Sequence, residues 1–168
     1  MPNHCHNRVT FYSSGNDTDE TRNQMRDIKQ IFDEESIFTN IIPEPDWANT
    51  PLMSSDQKRY GNDRGKLGEL PQYVEDPWRR LVFKSTGHSD DRWYDWRVCY
   101  WDTKWDAYDV VVTDDDPDQF EVEFNTAWSP PDAICRALRE QYPDLAISWF
   151  YDEPGCEIAG YLLSLIHI

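Results

Sequence analysis

Positive charge is scarce in this chain: of 168 residues only 16 are Lys or Arg, against 32 Asp or Glu, so the formal net charge is −16. Affinity for nucleic acid comes mainly from Lys and Arg neutralising phosphates, and the imbalance excludes a generic nucleic-acid binder. Cysteine is sparse as well. Cys5, Cys99, Cys135 and Cys156 include no C-x-x-C pair. The ligand spacing of zinc ribbons and iron–sulfur clusters is therefore missing, and four free thiols are expected. No stretch approaches the ~20 apolar residues of a membrane span, and no basic segment precedes an apolar one at the start. A cytoplasmic protein without membrane contact is the expectation. Catalytic signatures are lacking too, since G-x-S-x-G, P-loop and H-E-x-x-H patterns are all absent.

What is present is acid and aromatic side chains. The length suits one domain able to bury a core without staples. An aromatic content of 14%, including eight Trp, argues against disorder and for a core built on large rings. The acid is uneven. Residues 1–86 hold 11 basic and 14 acidic side chains, a net of −3, whereas residues 87–168 hold 5 and 18, a net of −13. The cluster Asp114, Asp115, Asp116, Pro117, Asp118 is expected to be a solvated turn between strands. A calcium loop of the helix-loop-helix type needs a Gly at its sixth position and a Glu at its twelfth, and neither follows here.

Residues 8–13 alternate, with Val9 and Phe11 on one face, which predicts a half-buried strand. Asp17 with Glu20 predicts a capped helix over 18–34, whose stripe is Met25, Ile28, Ile31 and Phe32. Residues 40–95 read as an insertion, with Pro-punctuated and polar stretches lacking periodicity, and with a short helix near 74–83 suggested by Val74, Trp78, Leu81 and Val82. Tyr108, Val110 and Val112, then Phe120, Val122 and Phe124, predict a hairpin with one apolar face. Ser129 and Pro130 predict a helix start, with Ile134, Ala137, Leu138 and Tyr142 as its stripe and Pro143 as its stop. Leu145, Ile147, Trp149 and Tyr151 alternate again, and Cys156, Ile158, Gly160 and Leu162 predict a last partner strand. Two β-α-β halves around a hairpin make an α+β, ferredoxin-like split sandwich: an antiparallel sheet with two helices on one face, an extra C-terminal strand and a long insertion. The uncovered face must be either wet or shielded by the insertion, and the abundance of Trp and Tyr in the insertion and in residues 93–108 favours shielding. A single domain over 1–162 is expected, and residues 163–168 resemble the in-frame translation of a sequencing adapter, so they are expected to be a non-native tail.

Three segments together resemble a known family. They are Met-Pro-Asn-His-Cys-His-Asn-Arg-Val-Thr at 1–10, Phe-Thr-Asn-Ile-Ile-Pro-Glu-Pro at 38–45, and Trp-Asp-Thr-Lys-Trp-Asp-Ala-Tyr-Asp-Val at 101–110 followed by Phe-Asn-Thr-Ala-Trp-Ser-Pro-Pro at 124–131. This is similar to the YubB-like family with a ferredoxin-like domain, found on phages, plasmids and related mobile elements and including Api-type phage proteins. The resemblance covers the chain apart from about residues 47–92. It implies a fold and a mobile-element context without a mechanism. Asp102 stands where the family has Gly, so a turn needing positive φ is either relaxed there or filled by an Asp that tolerates it.

Trp101, Thr103, Lys104, Trp105 and Asp106 are expected to meet Thr126 and Trp128 at one end of the sheet. Two readings stand: a Lys104 cation–π arrangement that stiffens a structural loop, or a pocket that binds a partner or ligand through its tryptophans. His4 and His6 would share a strand face, but a zinc site needs three or four ligands, so no metal and no cofactor are expected. RNA stacking on the sheet is opposed by the acid of the same half. The favoured function is a non-enzymatic interaction domain of a mobile element, offering an acidic surface to a host or phage protein. The alternative is a small-ligand protein or enzyme with its pocket at the 101–106/126–128 end.

Overall fold

The computed structural model describes residues 3–13, 15, 17–58 and 64–162. In chain order the elements are β1 (His4–Tyr12), α1 (Asp19–Asp33), α2 (Ser54–Lys58), β2 (Tyr73–Val74), β3 (Val82–Phe83), α3 (Arg92–Tyr100), β4 (Tyr108–Asp115), β5 (Gln119–Ala127), α4 (Asp132–Gln141), β6 (Ala146–Glu153) and β7 (Ile158–Tyr161). Two compact units result: Met1–Pro43 with Arg97–Ile168, and Glu44–Trp96. The second unit corresponds to the segment read as an insertion at 40–95. The expected tail, 163–168, lies outside the described residues.

In the first unit the strands order as β4-β5-β1-β6-β7, every neighbouring pair antiparallel. With α1 following β1 and α4 following β5, this is the ferredoxin-like sandwich, and β7 extends the sheet beyond β6. Alternation along β1 buries Cys5, Asn7, Val9 and Phe11 completely. Val9 stands opposite Val122 on one side and Trp149 on the other. Onto this face α1 brings Met25, Ile28 and Phe32, and α4 brings Ile134 and Leu138. Phe32 lies 5.7 Å from Phe11 and 6.0 Å from Phe124, centroid to centroid. Each such ring removed from water stabilises the unit by about 1.5–3 kcal/mol. The opposite face is wet, which corrects the favoured expectation of shielding: Arg8 is exposed there, paired with Glu123 at 2.9 Å, and Thr10 donates to Glu121 at 3.0 Å, a polar lattice that needs no apolar cover.

Three local expectations are corrected. The cap of α1 is Thr18 in place of Asp17: its hydroxyl accepts the Thr21 N–H at 3.2 Å, while the Thr21 hydroxyl accepts the Thr18 N–H at 3.0 Å. Asp17 instead pairs with Arg22 at 3.2 Å. Helix α4 begins at Asp132, not at Ser129, because a residue before proline is driven from helical backbone and two prolines follow Ser129. In β4 the apolar face is broken. Asp109 has φ +53, and the ladder shifts between Tyr108 and Val111 and again between Val112 and Asp114, so Val111 and Val112 both stay about half exposed. Such bulges are usual on an edge strand, where they discourage further pairing.

The second unit is organised by a buried ion pair. The Arg92 guanidinium donates to Asp90 at 2.8 Å, to the Trp47 carbonyl at 2.7 Å and to the Thr50 carbonyl at 2.9 Å, and it lies 5.2 Å from the centroid of the Trp47 ring. One planar fork thus fixes an aperiodic segment to α3. The Tyr73 hydroxyl donates to Asp90 at 2.7 Å. Burial alone would raise the Asp90 carboxyl; the hydrogen bonds from Arg92 and Tyr73 outweigh it and hold it below the ordinary carboxylate range. No helix forms at 74–83. Pro77 and the Arg79 backbone at φ +56 interrupt it, and Asp76 accepts the N–H groups of Trp78 and Arg80, both at 3.1 Å, to make a tight turn between β2 and β3.

Candidate functional site

The loop from Trp101 to Ala107 joins α3 to β4, and it does meet the end of β5. The Thr103 hydroxyl donates to the Ala127 carbonyl at 3.0 Å, and the Ser129 hydroxyl donates to the Asp102 carbonyl at 2.6 Å. Four of the seven predicted residues turn inward. Trp101 is fully buried, its indole N–H donating to the Ile42 carbonyl at 3.0 Å, its ring 5.7 Å from Phe38 at 74° and 5.1 Å from the Arg97 guanidinium carbon. Thr103 is buried by the bond just given. Asp106 accepts the N–H of Phe38 at 3.0 Å and of Ala107 at 2.7 Å. Burial raises its carboxyl above the ordinary value, with those two backbone bonds working against the shift. Thr126 is fully buried, donates to the Ser129 carbonyl at 2.7 Å and accepts from Asn7 at 3.0 Å.

Three face outward. Lys104 places its ammonium 4.4 Å from the centroid of the Trp105 ring, and Trp105 is 37% exposed. Trp128 is 50% exposed with φ +71, its N–H held by the Asn3 carbonyl at 2.9 Å. A bulky residue in left-handed backbone is uncommon and costs of order 1–2 kcal/mol, so the surrounding bonds dictate this presentation. The stiffening contact expected for Lys104 is therefore made with Trp105, while the Trp101 ring is met by Arg97.

Asp102 resolves the Gly departure. Its φ is +61, so the turn is retained, and its carboxylate accepts the Ala133 N–H at 2.9 Å, capping α4 from a distant loop. Arg136 approaches the same carboxylate at 3.6 Å. Asp132, on the first turn of α4, has its carboxyl raised by burial and by the Asp102 charge, against Arg136.

Residue types alone did not mark Asn7. Fully buried, its amide donates to the Cys5 carbonyl at 3.1 Å and to Thr126 at 3.0 Å, and its carbonyl oxygen accepts the Trp149 indole N–H at 3.0 Å. This network ties β1, β5 and β6 beneath the loop. The histidines take their own partners on the open face: His4 meets the Tyr108 hydroxyl and His6 meets Asn125 at 3.2 Å, while Cys5 points to the buried side. Among the described residues no group of three or more His, Cys, Asp or Glu is placed to hold a metal ion. Nor is any described helix long and apolar enough to cross a membrane.

Several acids of the C-terminal half are engaged within the fold. Asp102, Asp106 and Glu153 accept backbone N–H groups. Asp115 pairs with Lys29 at 2.6 Å at the hairpin tip, and Glu123 pairs with Arg8 on the open face.

No curated protein matches the chain. Among solved structures, the crystal structure of protein api92 from Yersinia pseudotuberculosis aligns over 96% of this chain and 93% of that one, at 12% identity and a TM-score of 0.46. Residues 100–164, which carry the loop, the β4–β5 hairpin, α4 and the last strands, match the family model described as the ferredoxin-like domain in Api92-like protein.

Proposed function

We propose that the chain is a non-enzymatic protein-interaction domain that engages its partner through Trp128 and Trp105 at the loop end of the sheet. The observation that carries this reading is Trp128: a half-exposed indole on left-handed backbone, with the backbone N–H donating to the Asn3 carbonyl. Tryptophan anchors dominate protein interfaces because a large rigid ring loses little entropy on burial. Asp102 and Asp132 flank the same end, and Asp109 is exposed on the adjoining edge strand, so the partner is one with an apolar slot and a basic rim. The phage and plasmid context of the resemblance makes a host or element protein the natural candidate. Against a ligand pocket or catalytic centre at this end, the polar groups of Thr103, Asp106 and Thr126 are already committed to the backbone.

The test is affinity capture from a host lysate at low and high salt with the parent chain, Trp128→Gly and Trp105→Ala. Glycine accepts φ +71 without strain, so Trp128→Gly removes the ring and leaves the fold intact. Loss of a salt-sensitive partner in both variants is expected. Undiminished capture by a Trp128→Gly chain of unchanged stability would refute the assignment.

A further inference from the structure

A second feature lies wholly within the unit Glu44–Trp96 and involves none of the residues above. A depression of about 510 Å³ opens there, within the ~300–1,000 Å³ range of small-molecule sites. Arg64 is part of its lining, with a side chain 3% exposed, ion-paired to Asp91 and 5.1 Å from the Phe83 ring centroid. Lys66 and Lys84 line it, both exposed, and so do Ser85 and Gln72. The lining is tied by backbone: Lys84 N–H donates to the Gln72 carbonyl at 2.8 Å, Gly68 N–H to the Leu52 carbonyl at 2.9 Å, and Leu52 N–H to the Glu69 carbonyl at 3.0 Å. Gly65, at φ +139, lets this loop close on Leu52, since a Cβ there would lie 2.9 Å from the Leu52 Cδ1.

The charge pattern gives the depression its meaning. Acids outnumber bases two to one in this chain, so a carboxylate is usually near any cation. Four lysines have described side chains. Lys29 pairs with Asp115, and Lys104 sits over Trp105. The other two, Lys66 and Lys84, have no side-chain partner among the described residues, and both line this depression.

We infer that the depression is a binding site for a small phosphomonoester. Two unpaired lysines lining one depression suit a dianion, with the Ser85 hydroxyl and Gln72 amide as further donors to its oxygens. Leu70, 51% exposed on the lining, provides an apolar shelf for the organic body, and Glu69 offers an acceptor for a ligand hydroxyl.

Isothermal titration of the full chain at low ionic strength with phenyl phosphate and with inorganic phosphate tests this. Saturable one-site binding of phenyl phosphate is expected, weaker for inorganic phosphate. Lys66→Gln and Lys84→Gln should each weaken it about two- to fivefold, and the double variant roughly tenfold, with unchanged melting temperature. Lys29→Gln should leave it unaltered. Absence of saturable binding, or parental affinity in the double variant, overturns the site; equal affinity for inorganic phosphate overturns the organic part of the assignment.

Discussion

Replacing Asp102 separates two contributions that one residue supplies together. Its carboxylate caps α4 through Ala133, and its backbone holds φ +61. Loss of a cap costs about 0.5–2 kcal/mol. The Arg136 contact, at 3.6 Å between side chains 62% and 36% exposed, adds about 0–1 kcal/mol. Alanine loses the cap and fits left-handed backbone worse than Asp, by roughly 1 kcal/mol. Glycine loses the cap but has no backbone penalty, and asparagine keeps an acceptor and tolerates the conformation. The expected order of destabilisation is therefore Asp102→Ala at about 2 kcal/mol, Asp102→Gly at about 1 kcal/mol, and Asp102→Asn below that. For a chain of this size about 1 kcal/mol shifts the melting temperature by roughly 2–4 °C, so thermal and urea unfolding resolve the series. Equal losses in the Ala and Gly variants would show that the backbone conformation contributes nothing. Equal losses in Asn and Ala would dispose of the cap.

Two further outcomes follow from buried ionisable groups. Asp90 has a depressed pKa, so its contribution to the unit Glu44–Trp96 is present above the unfolded carboxylate pKa and is lost as pH falls through the lower folded value. Tryptophan fluorescence and near-ultraviolet dichroism should hold steady from neutrality into mild acid and change below the ordinary carboxylate range. Arg92→Met should destabilise this unit by about 3–5 kcal/mol by stranding the buried carboxylate, and parental stability in that variant would contradict the role assigned to the pair. Among the thiols, burial pushes Cys5 and Cys135 up to about 11, whereas Cys99 and Cys156 are exposed. A disulfide reagent at pH 8 should modify two of four cysteines in the native protein and all four in denaturant. The hydrogen bond to Glu153 also raises Cys156, so Glu153→Gln should accelerate its reaction; an unchanged rate would count against that bond.

The parts of the fold that show in the sequence are those where burial is one-sided. In β1, β5 and β6 a wet face and a packed face leave a period of two, and in α1 and α4 a single stripe leaves a helical period. Helix α3 escaped because Arg92-Trp-Tyr-Asp-Trp-Arg-Val-Cys-Tyr100 has large residues all round and no stripe to detect. The spacing of Val74, Trp78, Leu81 and Val82 imitates a helix, but Asp76 and Pro77 decide the local backbone. At the loop, residue types located the cluster correctly, yet they do not distinguish Trp101, which faces the core, from Trp128, which faces solvent. Asn7 was invisible for a different reason: its side-chain partners lie 119 and 142 positions away, and a polar residue in a strand carries no periodic sign of them.

That amide has a consequence for how the chain avoids misfolding. A strand paired one residue out of step exchanges its two faces. In β1 such a slip would bring the Arg8 guanidinium or the His6 ring to the place of Asn7 and leave the Trp149 indole N–H without an acceptor in a sealed interior. The nearest competing alignment therefore carries an electrostatic fault in addition to misplaced apolar groups, which widens its energy gap from the native pairing. Asn7 in this sense acts as an alignment key, since only the native pairing of the central strand satisfies both its amide and the Trp149 indole.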